Sequence, residues 1–239
     1  MRIAVCSLAY GEQYKKKTAV SQHTKQLYCK KHNYDYIEDE TVVDISRPLA
    51  WSKVLLLQKY LPSYDILVWI DADAMIMNLD QNLEEKIQLM KETDIMVLGK
   101  TKIDINTGVI FIKNSPYSNS LLSRLYSMTD FINSTSWEQT AFIHIYENEP
   151  DTREHILVLD NSYTPVIQSY WFEYKHDHFI VHFSGCSLQL DSLESSLNSF
   201  TTIKLNNETV ERYDRRMYWL KNIAYSNIDM THGLIPFQE

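Results

Sequence analysis

Glycine is scarce in this chain, with five in 239 residues. A Gly-rich loop cradling a phosphate takes several of them in one short segment, so that device is not expected here. Cysteine is scarcer still. Cys6, Cys29 and Cys186 are far apart and form no Cys-x-x-Cys pair, which points to reduced thiols in a cytosolic setting rather than a disulfide framework. No apolar run reaches the roughly eighteen residues of a membrane span. The opening Ile3-Ala4-Val5-Cys6 is also too short for a signal-peptide core. Positive charge is in deficit: 23 Lys and Arg against 31 Asp and Glu give a net charge of −8. The clustered basic face of a nucleic-acid binder is missing, and Lys15-Lys16-Lys17 and Lys30-Lys31 read as the solvated face of one helix. An acidic protein that handles an anionic nucleotide needs a metal or a few local cations against like-charge repulsion.

What is present is an alternation of strands and helices. Arg2 to Leu8 reads as a buried first strand, Gln13 to His32 as a helix ended by Asn33, and Tyr34 to Glu38 as a second strand. That is a βαβ unit, so a mostly parallel sheet flanked by helices is expected. In the first helix Tyr14, Thr18, Ser21 and Lys25 fall along one side, with Ala19, Leu27 and Tyr28 available for the core. A helix over Leu49 to Tyr60 stops at Leu61-Pro62. Ile66-Leu67-Val68-Trp69-Ile70 then reads as a fully buried strand. Further helices are expected over Leu79 to Met90, Tyr117 to Ser127, Trp137 to Tyr146 with Ser136 as N-cap, and Thr209 to Tyr225. Further strands are expected over Asp94 to Leu98, Asp104 to Lys113, Ile156 to Leu159 and Phe179 to Phe183. No repeat or linker interrupts this order. One α/β domain over 1–239 is therefore expected, with a nucleotide-binding half at about 1–100, an acceptor half at about 101–190 and a helical segment at about 207–239.

The buried strand ends in Asp71-Ala72-Asp73. In an open α/β sheet, ligands bind outside the carboxyl ends of the strands, and carboxylates there suit hard cations. The bland alternative is two solvated acids capping a connection. His182 closes another apolar strand just before Gly185 and is a candidate metal ligand, or a satisfied core histidine. Glu138 and Gln139 open a helix and could sit over a reacting carbon, or Glu138 could simply answer the helix dipole. Asn106, at a strand start, is equally two-sided. Lys53 and Arg47 could offset phosphate charge, with surface exposure as the default.

In order along the chain stand Trp51-Ser52-Lys53, Tyr64-Asp65, Trp69-Ile70-Asp71-Ala72-Asp73-Ala74, Asn106-Thr107-Gly108-Val109, Lys113-Asn114-Ser115-Pro116, Glu138-Gln139 and His182-Phe183-Ser184-Gly185-Cys186. This pattern, over roughly Arg2 to Cys186, resembles glycosyltransferase family 34, the galactosyl-, mannosyl- and xylosyltransferases. The resemblance implies a GT-A fold, a nucleotide-sugar donor, Mn²⁺ with Mg²⁺ as the other candidate ion, and transfer with retention of anomeric configuration. By position it implies Asp71, Asp73 and His182 as metal ligands. Glu138, Gln139 and Asn106 become the catalytic and acceptor-side residues. Ser7 and Leu8 would hold the base through backbone groups, and Tyr14, Lys53, Ala72 and Gly185 complete the expected donor contacts. A UDP-sugar is favoured over a GDP-sugar, and the acceptor is a glycan hydroxyl.

The chain departs from the family in places. Ser187 stands where plant members carry a lysine, and Trp137-Glu138 where the pair before the glutamine is acidic. The chain shows no anchor or stem, so a soluble, cytoplasmic protein of viral or bacterial origin is expected; a homodimer is compatible with the sequence. Two other readings compete. A haloacid-dehalogenase-like phosphatase also places Asp-x-Asp after a buried strand, but it wants Thr or Val where Met75 stands and puts the motif on its first strand. A non-catalytic carbohydrate-binding relative is the other.

Overall fold

The computed structural model describes residues 1–99, 105–160, 167–170 and 178–183. The expected Thr209 to Tyr225 helix, Gly185, Cys186 and Ser187 lie outside them. Strand β1 (Ile3–Cys6), helix α1 (Glu12–His32) and strand β2 (Asp35–Ile37) form the βαβ unit read from the sequence. Asn33 ends α1 in the left-handed region, φ 58° and ψ 40°, a conformation asparagine tolerates better than most residues. Helix α2 (Ser52–Tyr60) follows a 3-10 turn over Leu49–Trp51 and leads to β3 (Ile66–Ile70), every residue of which is buried. Then come β4 (Ala74–Ile76), α3 (Leu83–Ile87), β5 (Ile95–Gly99) and β6 (Ile105–Lys113). Helices α4 (Pro116–Ser127), α5 (Trp137–Asn148) and α6 (Thr152–His155) precede β7 (Ile156–Leu159), β8 (Gln168–Tyr170) and β9 (Ile180–His182).

Among the described residues the main sheet has the order β2-β1-β3-β6-β5-β7, and β4-β9-β8 make a second, small sheet. Three of the main sheet's pairings are parallel (β1 with β2, β1 with β3, β5 with β7), and β6 runs antiparallel to both its neighbours. The period of two divides each strand between two cores. Ala4, Cys6, Leu67, Trp69, Ile95 and Val97 pack against α2, α4 and α5. Val5, Val68, Ile70 and Met96 face Tyr28 and Cys29 of α1, α3, and Phe179 and Ile180 of the small sheet. Cys6 and Cys29 are buried and unbridged.

Three local expectations need correcting. The Leu79 to Met90 helix is shorter: Asn82 caps it by accepting from Glu85 N at 2.9 Å, so α-helix begins only at Leu83. Ser136 does not cap α5 with its side chain; its own N–H donates to Thr140 Oγ1 at 3.2 Å instead. In α1 the buried stripe is the polar one. Thr18, Ser21, Thr24 and Lys25 are buried, whereas Ala19 is exposed and Leu27 only half-buried. Their partners are backbone carbonyls, amides and hydroxyls, which an apolar face would have left unsatisfied.

Candidate active site

The site forms where β1, β3 and β6 meet one edge of the sheet. Asp71 leaves β3 at its carboxyl end. Because β6 is antiparallel to β3, its first residues arrive at that same edge, and Asp71 N donates to Gly108 O at 2.8 Å. The β5–β6 register shifts between Val97 and Leu98, whose partners are Ile110 and Asn106. Thr107, Gly108 and Val109 are thus the extra residues of a bulge, a device that often re-aims side chains at functional sites. Strand β9 pairs with β4 so that His182 faces Ala74, and Phe183 N donates to Asp73 O at 3.0 Å. A histidine more than a hundred positions downstream is thereby delivered to Asp-x-Asp.

His182 Nε2 lies 3.2 Å from Asp73 Oδ1 and 3.7 Å from Asp71 Oδ2. One ligand atom from each of Asp71, Asp73 and His182 falls within 4.8 Å of the others. Two carboxylate oxygens and an imidazole nitrogen are a donor set that suits Mn²⁺ and, with less preference for the nitrogen, Mg²⁺. Burial works against ionisation of Asp73, but its hydrogen bond to His182, the His182 charge and Lys25 hold the carboxyl below the usual range. The imidazole ring sits directly over Gly108: a Cβ there would lie 2.1 Å from His182 Cε1. Asn106 Oδ1 accepts from Gly108 N at 2.9 Å and from Gln168 Nε2 at 3.4 Å, which ties the bulge to β8.

Behind the carboxylates lies Lys53, expected among the donor contacts. Lys53 is only 5% exposed. Its Nζ donates to Glu138 Oε1 at 2.8 Å and to Thr107 O at 3.0 Å and lies 3.1 Å from Asp71 Oδ1. Trp69 Nε1 also donates to Asp71 Oδ1, at 2.6 Å. Burial alone would lower the Lys53 pKa; the Asp71 and Glu138 charges outweigh it and hold the ammonium above its ordinary range. Glu138 is 4% exposed. Burial pushes its carboxyl up against the opposing pull of Lys53, and its Oε2 has no hydrogen-bond partner within the protein. Gln139 Oε1 accepts from Thr107 N at 3.0 Å. Arg47, the other expected cation, turns away. It stacks over Trp51 and Tyr126 and donates to Tyr126 O at 2.6 Å.

These groups line a cleft of about 790 Å³. Leu8, Tyr14, Lys53, Asp71, Ala72, Asp73, Asn106, Glu138, Gln139 and His182 all reach its wall. Tyr14 keeps its proton, raised by burial and by the Asp73 and Asp71 charges. Ser7 stands behind the wall: its N donates to Ile37 O, and its Oγ accepts from Lys25 Nζ at 3.1 Å.

Lys25, Thr107 and Trp69 were not picked out from the sequence for this site. Lys25 is fully buried and joins α1 to the turn at Asp71-Ala72-Asp73. Its Nζ donates to Ser21 Oγ at 3.0 Å, to Asp71 O at 2.7 Å and to Ala72 O at 3.5 Å, while Ser21 Oγ donates to Ala74 O at 2.7 Å. Burial lowers the Lys25 pKa to about 7 despite the pull of Asp73 and Asp71. The available signal was the polar stripe itself. Positions 14, 18, 21 and 25 have core spacing, and α1 offers no better apolar face to bury. Lys25→Met is expected to lower stability by about 1–3 kcal/mol by leaving these acceptors dry and unpaired. Urea unfolding should show it, and a Mn²⁺ titration should show weaker binding; an unchanged midpoint and unchanged affinity would contradict this role.

The profile of the galactosyl transferase GMA12/MNN10 family matches residues 8–98 and 88–192. The chain belongs to this family. It is 28% identical over 128 residues to xyloglucan 6-xylosyltransferase 1 of Arabidopsis thaliana, covering 49% of this chain and 27% of the plant protein. It is 23% identical over 208 residues to an alpha-1,2-galactosyltransferase of Schizosaccharomyces pombe, covering 68% of this chain and 54% of the yeast protein. The chain thus spans between about a quarter and a half of these relatives. Among solved structures, the glycosyltransferase involved in glycosylation of the major capsid of PBCV-1 superposes with a TM-score of 0.62 at 18% identity, over 77% of this chain and 94% of that one. The glycosyltransferase GlyE of Streptococcus pneumoniae TIGR4 gives 0.51 at 12% identity, over 90% and 64%. The fold is GT-A. The Asp-x-Asp follows the third strand, not the first, and with the family match this disfavours the phosphatase reading. Among the described residues no helix is long and apolar enough to cross a membrane.

Proposed function

We propose that this chain transfers a hexose or pentose from a nucleotide-sugar donor to a hydroxyl of a glycan acceptor, with retention of anomeric configuration, and that residues 1–239 act as a single domain in doing so. The observation that carries the reading is one cleft holding two features. Asp71, Asp73 and His182 form a metal-type donor set, and a buried Glu138 is coupled to Asp71 through Lys53. The xylosyl and galactosyl names of the relatives favour a UDP-linked donor.

Asp71, Asp73 and His182 would hold the divalent ion, which when bound neutralises the diphosphate and makes it a better leaving group. Leu8 and Tyr14, at the β1 end of the cleft, receive the nucleoside. Lys53 opposes the burial that raises the Glu138 carboxyl, and the paired carboxylate is placed to meet positive charge developing at the anomeric carbon. The bond from that carbon to the diphosphate oxygen breaks, and the acceptor oxygen bonds to it from the same face. The acceptor's proton goes to the departing phosphate oxygen. A second route has Glu138 bond the anomeric carbon first as the diphosphate leaves, after which the acceptor oxygen displaces Glu138 and gives its proton to the diphosphate, as in retaining glycosidases. Gln139 and Asn106 orient the sugars.

UDP release from a panel of nucleotide sugars, with Mn²⁺, with Mg²⁺ and with EDTA, tests this. Turnover of one or more donors that stops in EDTA and returns with Mn²⁺ is expected. Turnover of a simple phosphate ester with none of any nucleotide sugar would sink the transferase reading, and full turnover in EDTA would sink the metal site. Nucleotide binding without any turnover would leave only a binding protein.

A further inference from the structure

We propose that Trp137 is the acceptor platform of this enzyme, stacking against the C–H face of a pyranose ring of the acceptor glycan. The proposal rests on the transferase reading above and deepens it. Trp137 combines two features that folding alone disfavours. It has φ 48°, a backbone region that bulky L side chains rarely adopt, and the residue is 44% exposed. Nothing local requires tryptophan there; glycine would take the same conformation without strain. A residue held so is a candidate for function, and the outlier here is observed rather than inferred from the site.

Its place says which function. Trp137 is the residue before Glu138 and lines the same cleft. Tyr10 and Leu49, also exposed, lie on that cleft wall as well. Ser136, Gln139 and Asn106 line the same cleft and supply a hydroxyl and two amides. A flat apolar plate next to such groups is what a sugar ring offers partners for, with C–H bonds on its face and hydroxyls at its edge. The strand order separates donor from acceptor. The nucleoside end lies at β1, the diphosphate end at β3, and Glu138 reaches β6 through Thr107, whose Oγ1 donates to Glu138 Oε1 at 3.2 Å. On the proposed mechanism the donor sugar would lie between the metal-type ligands and Glu138, which leaves the cleft wall at Trp137 for the acceptor.

The test compares wild type with Trp137→Phe and Trp137→Gly. The probes are the methyl glycosides and disaccharides of glucose, galactose, mannose and xylose. Trp137→Gly is expected to raise the acceptor KM about ten-fold while the donor KM, read from acceptor-free UDP release, stays within about two-fold. Trp137→Phe should fall between. An acceptor KM unchanged across the whole panel or an equal rise in donor KM would each overturn the proposal. UDP release with no effect of the substitutions removes Trp137 alone. Absence of UDP release from every donor removes the transferase reading beneath it.

Discussion

Replacing Lys53 by methionine is expected to destabilise the protein by about 3–5 kcal/mol, the usual cost of removing one partner from a buried ion pair, and to end sugar transfer. Lys53 is the shared counter-ion of Glu138 and Asp71, at 2.8 and 3.1 Å, with both Lys53 and Glu138 buried. Methionine fills much of the same volume but leaves the Glu138 carboxylate in an apolar, water-poor place. Its pKa, already pushed up by burial, then rises further, so a smaller share of the group is ionised and able, in the proposed mechanism, to meet positive charge at the anomeric carbon. The double variant Lys53→Met with Glu138→Gln separates the two effects. It removes the orphaned charge and is expected to recover most of the stability while remaining inactive. Urea midpoints of the wild type, both single variants and the double variant form the cycle. Additive single effects would mean that Lys53 and Glu138 do not support one another. Arginine at 53 is not conservative either, because a planar fork does not fit the space of a point ammonium bonded to Thr107 O as well as two acids.

Gly108→Ala carries the second large effect. The added Cβ would stand 2.1 Å from His182 Cε1, 2.6 Å from His182 Nδ1 and 2.8 Å from Asn106 Oδ1. All three separations are too short for contact, and the obstacle is not the loose end of a flexible chain. The His182 ring is held by β9, whose pairing with β4 sets its position over the bulge, so either the imidazole leaves Asp73 or the start of β6 leaves β3. Overpacking of this kind costs about 1–3 kcal/mol. The displaced ligand should weaken divalent-metal binding about 10–100-fold. Isothermal titration with Mn²⁺ reads the second effect directly, and thermal unfolding in EDTA reads the first. Metal affinity equal to wild type would show that His182 is not a ligand in the bound state.

Much of the frame was legible from short-range patterns. The five-residue apolar run of β3 appears with the boundaries read from the sequence, Ile66–Ile70. Asn33 caps α1, and Pro116 opens α4 at its first position. Each follows from local sterics or from a period of two or 3.6. Asp71 and Asp73 could be placed at a ligand-bearing edge for the same reason, since a buried strand must end where its carboxylates begin. Strand β4 was not legible. Three residues, Ala74 to Ile76, carry no period, and they become a strand only because β9 pairs with them.

The sequence by itself determined the α/β alternation, the buried strand with its two aspartates and, through the order of its motifs, the family. Only the tertiary structure decided that β6 runs antiparallel and bulges, that its Gly108 leaves room for His182, and that Lys25 and Lys53 are interior cations rather than surface ones. The physical reason is the range of the forces involved. Strand and helix periods act over a few residues, whereas a lysine's burial depends on which distant carboxylates and carbonyls meet its ammonium. For Lys53 these are Asp71, Thr107 and Glu138, drawn from three separate elements that are joined only when the sheet closes.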